Sequence, residues 1–350
     1  MGEFLVSISL ADLGWSSHFA RQIDADDAVP MRLDAVHRTR LHATGEAGPV
    51  TLVPTAPAGD YAVGDWVLVT GERASKPLTR LTELVRRTAG RESKPQLIAA
   101  NVDTLGIVTS CNDDFNVARL ERYLALSGRA GCLPLIILTK VDTVDDPAPF
   151  VRSAEELSPL AAVVSLDATD ASEVARLAPW CSGGRTLALV GSSGVGKTTV
   201  QNALTGGAEA TRTIREDDAK GRQTTTSRAL RPTLHGGWLI DTPGMRELRL
   251  MDAEAAIDDV FADVLDIAAG CRFGDCAHDA EPGCAVTEAI ARGDLAPKRL
   301  ARFRKLDAEN RHNTRTVAEA RARDRALGRM YRDVLTQQRR MRGQPPDRER

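Results

Sequence analysis

The sequence predicts a multidomain protein with an N-terminal small β-barrel, a central α/β domain on a mostly parallel sheet, and a C-terminal α-helical metal-binding domain. Three observations predict it. Short, partly alternating apolar segments fill residues 33–90, continuous apolar strands alternate with helical segments over 91–252, and a Cys/His cluster interrupts helical text over 253–310. Residues 1–32 read as a leader without clear period, packed on or hanging off the next unit. Residues 311–350 read as a basic helical tail whose closing PPDRER is expected to be disordered.

The barrel rests on four segments, RLDAVHRTRLHA, GPVTLVP, GDWVLVT and LTRLTELVRR. Turn residues separate them: Gly45, Gly48, Pro49, Pro57, Gly59 and the Gly64-Asp65 pair. Several short strands in so little chain suit an OB-fold, and another small β-domain is the alternative that periodicity leaves open. From about Gln96 the pattern changes. LIAANVDTLGIVTS contains an apolar strand, ARLERYLALSGRAG reads as a helix ending at glycine, and LPLIILTKVD is a buried strand ending in polar residues. AAVVSLD, RTLALVG and GWLIDTPG are further strands of that type. Such a pattern predicts a parallel sheet covered on both faces. Ligands of these sheets sit at the carboxyl ends of the strands, where the polar motifs fall.

Aliphatic residues dominate the cores, because aromatics are only 4% of a chain that is 42% hydrophobic. No run approaches the ~18–20 apolar residues of a membrane span. The N-terminus carries Glu3 where a signal peptide would carry basic charge, so a cytoplasmic location with no membrane partner is expected. The net charge of −2 is unevenly spread: residues 297–350 hold 17 Lys/Arg against 7 Asp/Glu, and the rest is acidic. An acidic body with a basic tail suggests an anionic partner, and a solvated arginine-rich helix is the bland alternative.

The chemistry begins at Gly191-Ser192-Ser193-Gly194-Val195-Gly196-Lys197-Thr198, which follows the strand RTLALV and opens the helix KTTVQNAL. This is the P-loop pattern in its strand–loop–helix context. Glycines let the backbone wrap phosphates, and the helix N-terminus supplies positive potential. Lys197 should reach the β- and γ-phosphates and Thr198 should ligate Mg²⁺, with Thr199 closing the candidate nucleotide-binding set. Asp241-Thr242-Pro243-Gly244 ends the apolar strand GWLI. Asp241 is placed to hold Mg²⁺ in its outer shell and the Gly244 N–H to sense the γ-phosphate. Between the two lies Gly221-Arg222-Gln223-Thr224-Thr225-Thr226, where Thr224 or Thr225 is expected to cap Mg²⁺ and the γ-phosphate.

Thr139-Lys140-Val141-Asp142 ends the strand LPLIIL. An aspartate there accepts the ring N–H and exocyclic amine of guanine, a donor pair that adenine lacks. The Lys140 stem can lie along the base, and Ser165 is the expected further base contact, through its backbone. In ordinary small GTPases the base-reading motif follows the P-loop and begins with Asn; here it precedes the P-loop and begins with Thr139. One site can be built in either order if the chain is circularly permuted. The segment after Asp241 then leads directly into the Cys/His unit, so that hydrolysis could move it. In that unit Cys271, Cys276, His278 and Cys284 supply three thiolates and one imidazole, the donor set of a closed structural Zn²⁺ site.

The order of TKxD, P-loop, G-R-x-T-T-T, DTPG and C-x4-C-x-H-x5-C resembles the ribosome small-subunit-dependent GTPase A family. GDWV at Gly64, QLIAANVDTLGIVTS at Gln96 and RLERYLAL at Arg119 are similar to it as well, and the likeness covers roughly residues 33–306. It implies an OB-fold, a circularly permuted GTPase domain and a zinc domain. It also implies GTP hydrolysis stimulated by the small ribosomal subunit late in maturation, with GTP/GDP and 16S rRNA as partners of a monomer. The family usually reads G-R-H-T-T-T; Gln223 replaces that histidine and can orient water but cannot act as a base near neutral pH. Met245 stands where many GTPases place a catalytic Gln, which suggests slow turnover without a partner. The tail arginines Arg321, Arg323, Arg325, Arg329 and Arg332 are candidates for RNA contact.

Overall fold

Alternation in the N-terminal third closes a barrel. In the computed structural model, which describes residues 8–23, 28–87, 95–207, 229–241, 253–279 and 281–314, the leader contains a short helix α1 (Ser17–Ala20). Five strands follow: β1 (Val29–Val36), β2 (Leu41–Gly45), β3 (Gly48–Pro54), β4 (Trp66–Thr70) and β5 (Arg73–Ala74). Their order is β1-β2-β3-β5-β4, and antiparallel pairing of β4 with β1 closes the ring. The β3–β5 pair is parallel and the other pairs are antiparallel. Leu33, Leu41, Ala43, Leu52 and Val67 point inward and fill the barrel, while His42 between two of them is exposed, as a period of two requires. Asp65 of the GDWV turn is buried and accepts the Ala62 N–H at 2.7 Å and Arg80 Nε at 2.6 Å, which fixes the exit from the barrel.

The segment ELVRR, which the sequence groups with the barrel strands, forms β6 (Glu83–Arg87) and pairs outside it with β7 (Pro95–Ala100). The barrel is already closed by β1–β4, so β6 has no free edge there and takes the next stretch of chain as its partner.

The central sheet follows from strands buried on both faces. These are β8 (Thr104–Ser110), β9 (Leu133–Thr139), β10 (Ala162–Ser165), β11 (Thr186–Gly191), β12 (Ala229–Pro232) and β13 (Trp238–Asp241), in the order β10-β9-β8-β11-β13-β12. All neighbours are parallel except β12, an antiparallel edge on β13. Every residue of β8 and β11 is buried, which is the signature of strands covered by helices on both sides. The described helices are α2 (Val117–Ala130), α3 (Ala148–Glu155), α4 (Ala171–Val174) and α5 (Lys197–Thr205). Asn116 caps α2 by accepting the Arg119 N–H at 3.0 Å, and Gly131 ends it at φ 77°.

Two joints attach the flanking units. At the first, Arg32 of β1 is fully buried and donates to Leu13 O at 2.7 Å, Thr186 Oγ1 at 2.6 Å and Asn101 O at 3.2 Å, binding leader, barrel and central sheet together. Trp15, Phe19 and Trp66 pack together at the same seam, Trp15 edge-on to Trp66 and the other pairs tilted. At the second, α6 (Glu254–Val260) packs on α2, α7 (Ala262–Ala268) packs on α6 and on α8 (Ala285–Arg292), and α9 over residues 297–314 is tied to α2 by ion pairs. Glu121 of α2, 1% exposed, accepts Arg299 NH1 at 2.6 Å and Arg302 Nε at 2.8 Å. Arg299 also pairs with Asp263 at 2.8 Å and lies 4.3 Å over the Phe261 ring. Glu121→Gln removes the buried negative charge that Arg299 and Arg302 share and is expected to lower stability by about 3 kcal/mol. Urea unfolding checks this, and an unchanged midpoint would contradict it.

Candidate functional site

Order along the sheet reverses between β8 and β11, and the crevice at such a switch point is where α/β sheets bind ligands. The loop after β11 lies there because glycine lets it. Gly191 has φ 142°, and a Cβ on it would sit 2.2 Å from Val108 O on β8. Gly194 and Gly196 follow at φ 78° and 90°, and Gly196 caps α5. The first-turn N–H groups of a helix lack acceptors within it; here they belong to Lys197, Thr198 and Thr199, facing the loop's end. With the helix dipole they make an anion-attracting mouth. Lys197 Nζ donates to Gly191 O at 2.9 Å and to Ser192 O, so the ammonium lies across the loop. Ser193 and Gly194 are exposed at its rim, whereas Val195 packs inward.

Thr139 is the last residue of β9 and fully buried. Its single hydroxyl proton is shared between Val195 O at 2.6 Å and Thr109 O at 3.1 Å, so β9, β8 and the glycine loop meet at one oxygen. Lys140 turns the chain with φ 59°, unusual for a residue with a side chain, and the Thr143 hydroxyl holds that turn by donating to Lys140 O at 2.8 Å. Asp142 lies exposed in the short 3-10 turn that follows. Ser165 ends β10 in register with Leu138, and its carbonyl accepts Arg176 NH1 at 2.8 Å. Asp241 ends β13, whose Ile240 pairs with Ala188 of β11, one strand from the glycine loop. The structure thus brings Thr139, Lys140, Asp142, Ser165, Gly191–Thr199 and the Asp241 backbone to one edge of one sheet. Gln223, Thr224, Thr225 and Gly244 lie outside the described residues, as do Met245 and the tail arginines.

One residue of this edge is missing from the sequence-based set. Arg119, in the first turn of α2, donates to Ser192 Oγ and to Asp114 O, and pairs with Asp114 Oδ1 at 3.1 Å. A cation in a helix's first turn opposes the dipole, and α2 has no acid there. That mismatch is a signal, legible in the sequence, of a partner outside the helix.

The metal candidates converge as well. Ligand atoms of Cys271, Cys276, His278 and Cys284 all lie within 4.8 Å of one another. His278 Nδ1 is 3.5 Å from Cys271 Sγ and 3.6 Å from Cys284 Sγ, and the two sulfurs are 3.9 Å apart. Tetrahedral zinc with bonds of ~2.0–2.3 Å requires ligand atoms ~3.5–3.8 Å apart, so the donor types fit and these three separations lie close to that range. Cys284 caps α8; although burial works against it, hydrogen bonds from the Thr287 hydroxyl and N–H, His278 and Cys276 bring its thiol down to about 6. Burial instead pushes the thiols of Cys111 and Cys181 up to about 11 and that of Cys132 up to about 12, which leaves them as inert core residues. No described helix is long and apolar enough to cross a membrane.

With this geometry in hand, similarities to known proteins are specific. The family model described as RsgA GTPase matches residues 78–251. A small ribosomal subunit biogenesis GTPase RsgA from Mesorhizobium japonicum is 52% identical over 318 residues, covering 88% of this chain and 92% of that protein. A small ribosomal subunit biogenesis GTPase RsgA 2 from Vibrio parahaemolyticus is 44% identical over 344 residues, 96% of each. The crystal structure of YjeQ from Thermotoga maritima superposes with a TM-score of 0.58 at 23% identity, over 80% of this chain and 97% of that one. That of YloQ, described as a circularly permuted GTPase, gives 0.56 at 20% identity, over 83% and 97%. The two structures share the fold.

Thr139→Val keeps the shape of the side chain but leaves two buried carbonyls without their donor. An unsatisfied buried acceptor costs about 1–3 kcal/mol, so nucleotide binding is expected to weaken by about tenfold or more. Titration with a fluorescent guanine nucleotide measures it, and wild-type affinity would show the brace to be dispensable.

Proposed function

This chain belongs to the RsgA GTPase family, and from that premise we propose that it hydrolyses GTP as a nucleotide-dependent switch in late maturation of the small ribosomal subunit, binding 16S rRNA. The supporting observation is the meeting of a glycine phosphate loop and a Thr-Lys-x-Asp turn through the Thr139 hydroxyl. In this reading Gly191–Thr199 hold the phosphates, Lys197 leaves its loop carbonyls for the β- and γ-phosphates, and Asp142 selects guanine. Mg²⁺ would be held by Thr198 and, in the outer shell, by Asp241; the two begin α5 and end neighbouring β13, an oxygen-only pair that suits this ion. An ion held there would supply positive charge to offset that of the phosphates.

Gln223 orients the attacking water, and Thr224 or Thr225 closes over the γ-phosphate. With no catalytic glutamine at Met245, turnover alone is slow and the small subunit stimulates it. One zinc on Cys271, Cys276, His278 and Cys284 is structural, because four protein ligands leave no open position. The protein works as a cytoplasmic monomer, and its basic tail adds to the RNA contact.

Purified protein is expected to turn over GTP slowly, faster by at least about tenfold with purified small subunits, and not to turn over ATP. Asp142→Asn should shift preference from guanosine to xanthosine nucleotide. Tight GTP binding without turnover under any condition would reduce the protein to a binding switch. A chelator should release one zinc per chain and lower helical circular dichroism as α7 and α8 lose their tether. An unchanged spectrum after metal release would contradict the structural role.

A further inference from the structure

Ser192 is gripped by two cations. Lys197 Nζ donates to its carbonyl and Arg119 NH1 to its hydroxyl. In the reading above, Lys197 must let go of the loop to meet phosphate. Arg119 has no such duty, because its other contacts are to the protein: NH2 donates to Asp114 O and the guanidinium pairs with Asp114 Oδ1. A planar guanidinium can serve these acceptors at once, whereas an ammonium is a point charge on a flexible stem.

The support behind Arg119 is rigid. Asn112 Oδ1 accepts Ser110 Oγ at 2.8 Å and the Asp114 N–H at 3.0 Å, which pins the turn from β8 into α2. Asn116 caps the helix through the N–H of Arg119 itself. Further along α2, Glu121 and Arg122 are bonded into α9 through Arg299, Arg302 and Glu309. The N-terminal half of the helix is therefore held by its cap and by α9, and its first turn reaches the phosphate loop.

We propose that Arg119 is a positioning residue for nucleotide binding: it clamps the Ser192 hydroxyl to the β8–α2 turn and keeps Gly191–Gly196 in its phosphate-wrapping shape when Lys197 swings away. This rests on the assignment of residues 191–198 as the phosphate site. The clamp acts on the loop that wraps both GDP and GTP, so both should feel its loss alike.

The test compares wild type, Arg119→Gln, Arg119→Lys, Ser192→Ala and the Arg119→Gln/Ser192→Ala double variant. Affinities for fluorescent GDP and GTP analogues are measured, together with thermal midpoints and amide exchange of residues 191–196 without nucleotide. Each single change to Gln or Ala is expected to weaken both nucleotides by about 5- to 10-fold, with the double variant no weaker than either. Arg119→Lys should not restore affinity, thermal midpoints should hold, and loop amides should exchange faster. Additive effects in the double variant would overturn the clamp. Full rescue by lysine would also overturn it, since charge alone would then suffice. If Arg119→Gln fails to fold, Ser192→Ala carries the test: unchanged exchange and affinity would overturn the proposal. Wild-type protein that binds no guanine nucleotide would defeat the functional reading, while the exchange measurement would still judge the clamp.

Discussion

The hydroxyl of Thr139 is where the Thr-Lys-x-Asp turn and the glycine loop of the candidate site meet. The Thr-Lys-x-Asp turn and the glycine loop are separated along the chain by α3, β10, α4 and β11, and they come in the reverse of the usual order. What makes them one site is a fully buried oxygen 2.6 Å from Val195 O and 3.1 Å from Thr109 O. In a low-dielectric setting such a bond is strong, and its loss would strand a carbonyl that no water can reach. Lys140 bends sharply and Asp142 stands exposed because the residue before them is held. Gly191 reaches the same point from the other side, so close to Val108 that no side chain would fit.

Around this edge buried charges fix the joints within an apolar core that runs from Leu13 and Trp66 through Leu105 and Leu124 to Phe261 and Val286. Arg32 joins leader, barrel and sheet with no carboxylate in hydrogen-bond contact among the described residues, and burial lowers its pKa to about 10. Glu121 joins the sheet domain to the C-terminal helices through two arginines. Such groups are costly to desolvate and tolerate only one geometry, so each joint has a defined register. The second matters for function, because α2 carries Glu121 for the C-terminal unit and Arg119 for the phosphate loop within one turn of helix. The Cys/His cluster lies on that C-terminal side, between α7 and α8.

Much of the candidate site is legible in sequence because its chemistry is local. Glycine spacing, a strand before and a helix after are all contained in residues 186–205, and the Cys/His spacing is contained in 271–284. Arg119 and the bracing role of Thr139 are not legible in this way. Ser192 and Val195 are reached from them only through folding, and side chains at those distances in sequence carry no periodic signal. The single local hint was the cation in the first turn of α2, which opposes the helix dipole. The fate of ELVRR is similar: its alternation announces a strand but not its partner.

The sequence by itself determined the three architectures, the kind of strand in each, the glycine loop with its helix, the order of the motifs and the four clustered Cys/His donors. These depend on backbone propensity, apolar periodicity and ligand type, all of which act over a few residues. Tertiary structure alone decided that the barrel closes through β1 and β4, that β8 and β11 flank the switch point, and that Thr139 reaches Val195. It alone placed Arg32 and Glu121 in the joints and Arg119 against Ser192. Those outcomes depend on which buried polar groups must find partners once the strands are packed, and that demand arises only when distant segments have excluded water between them.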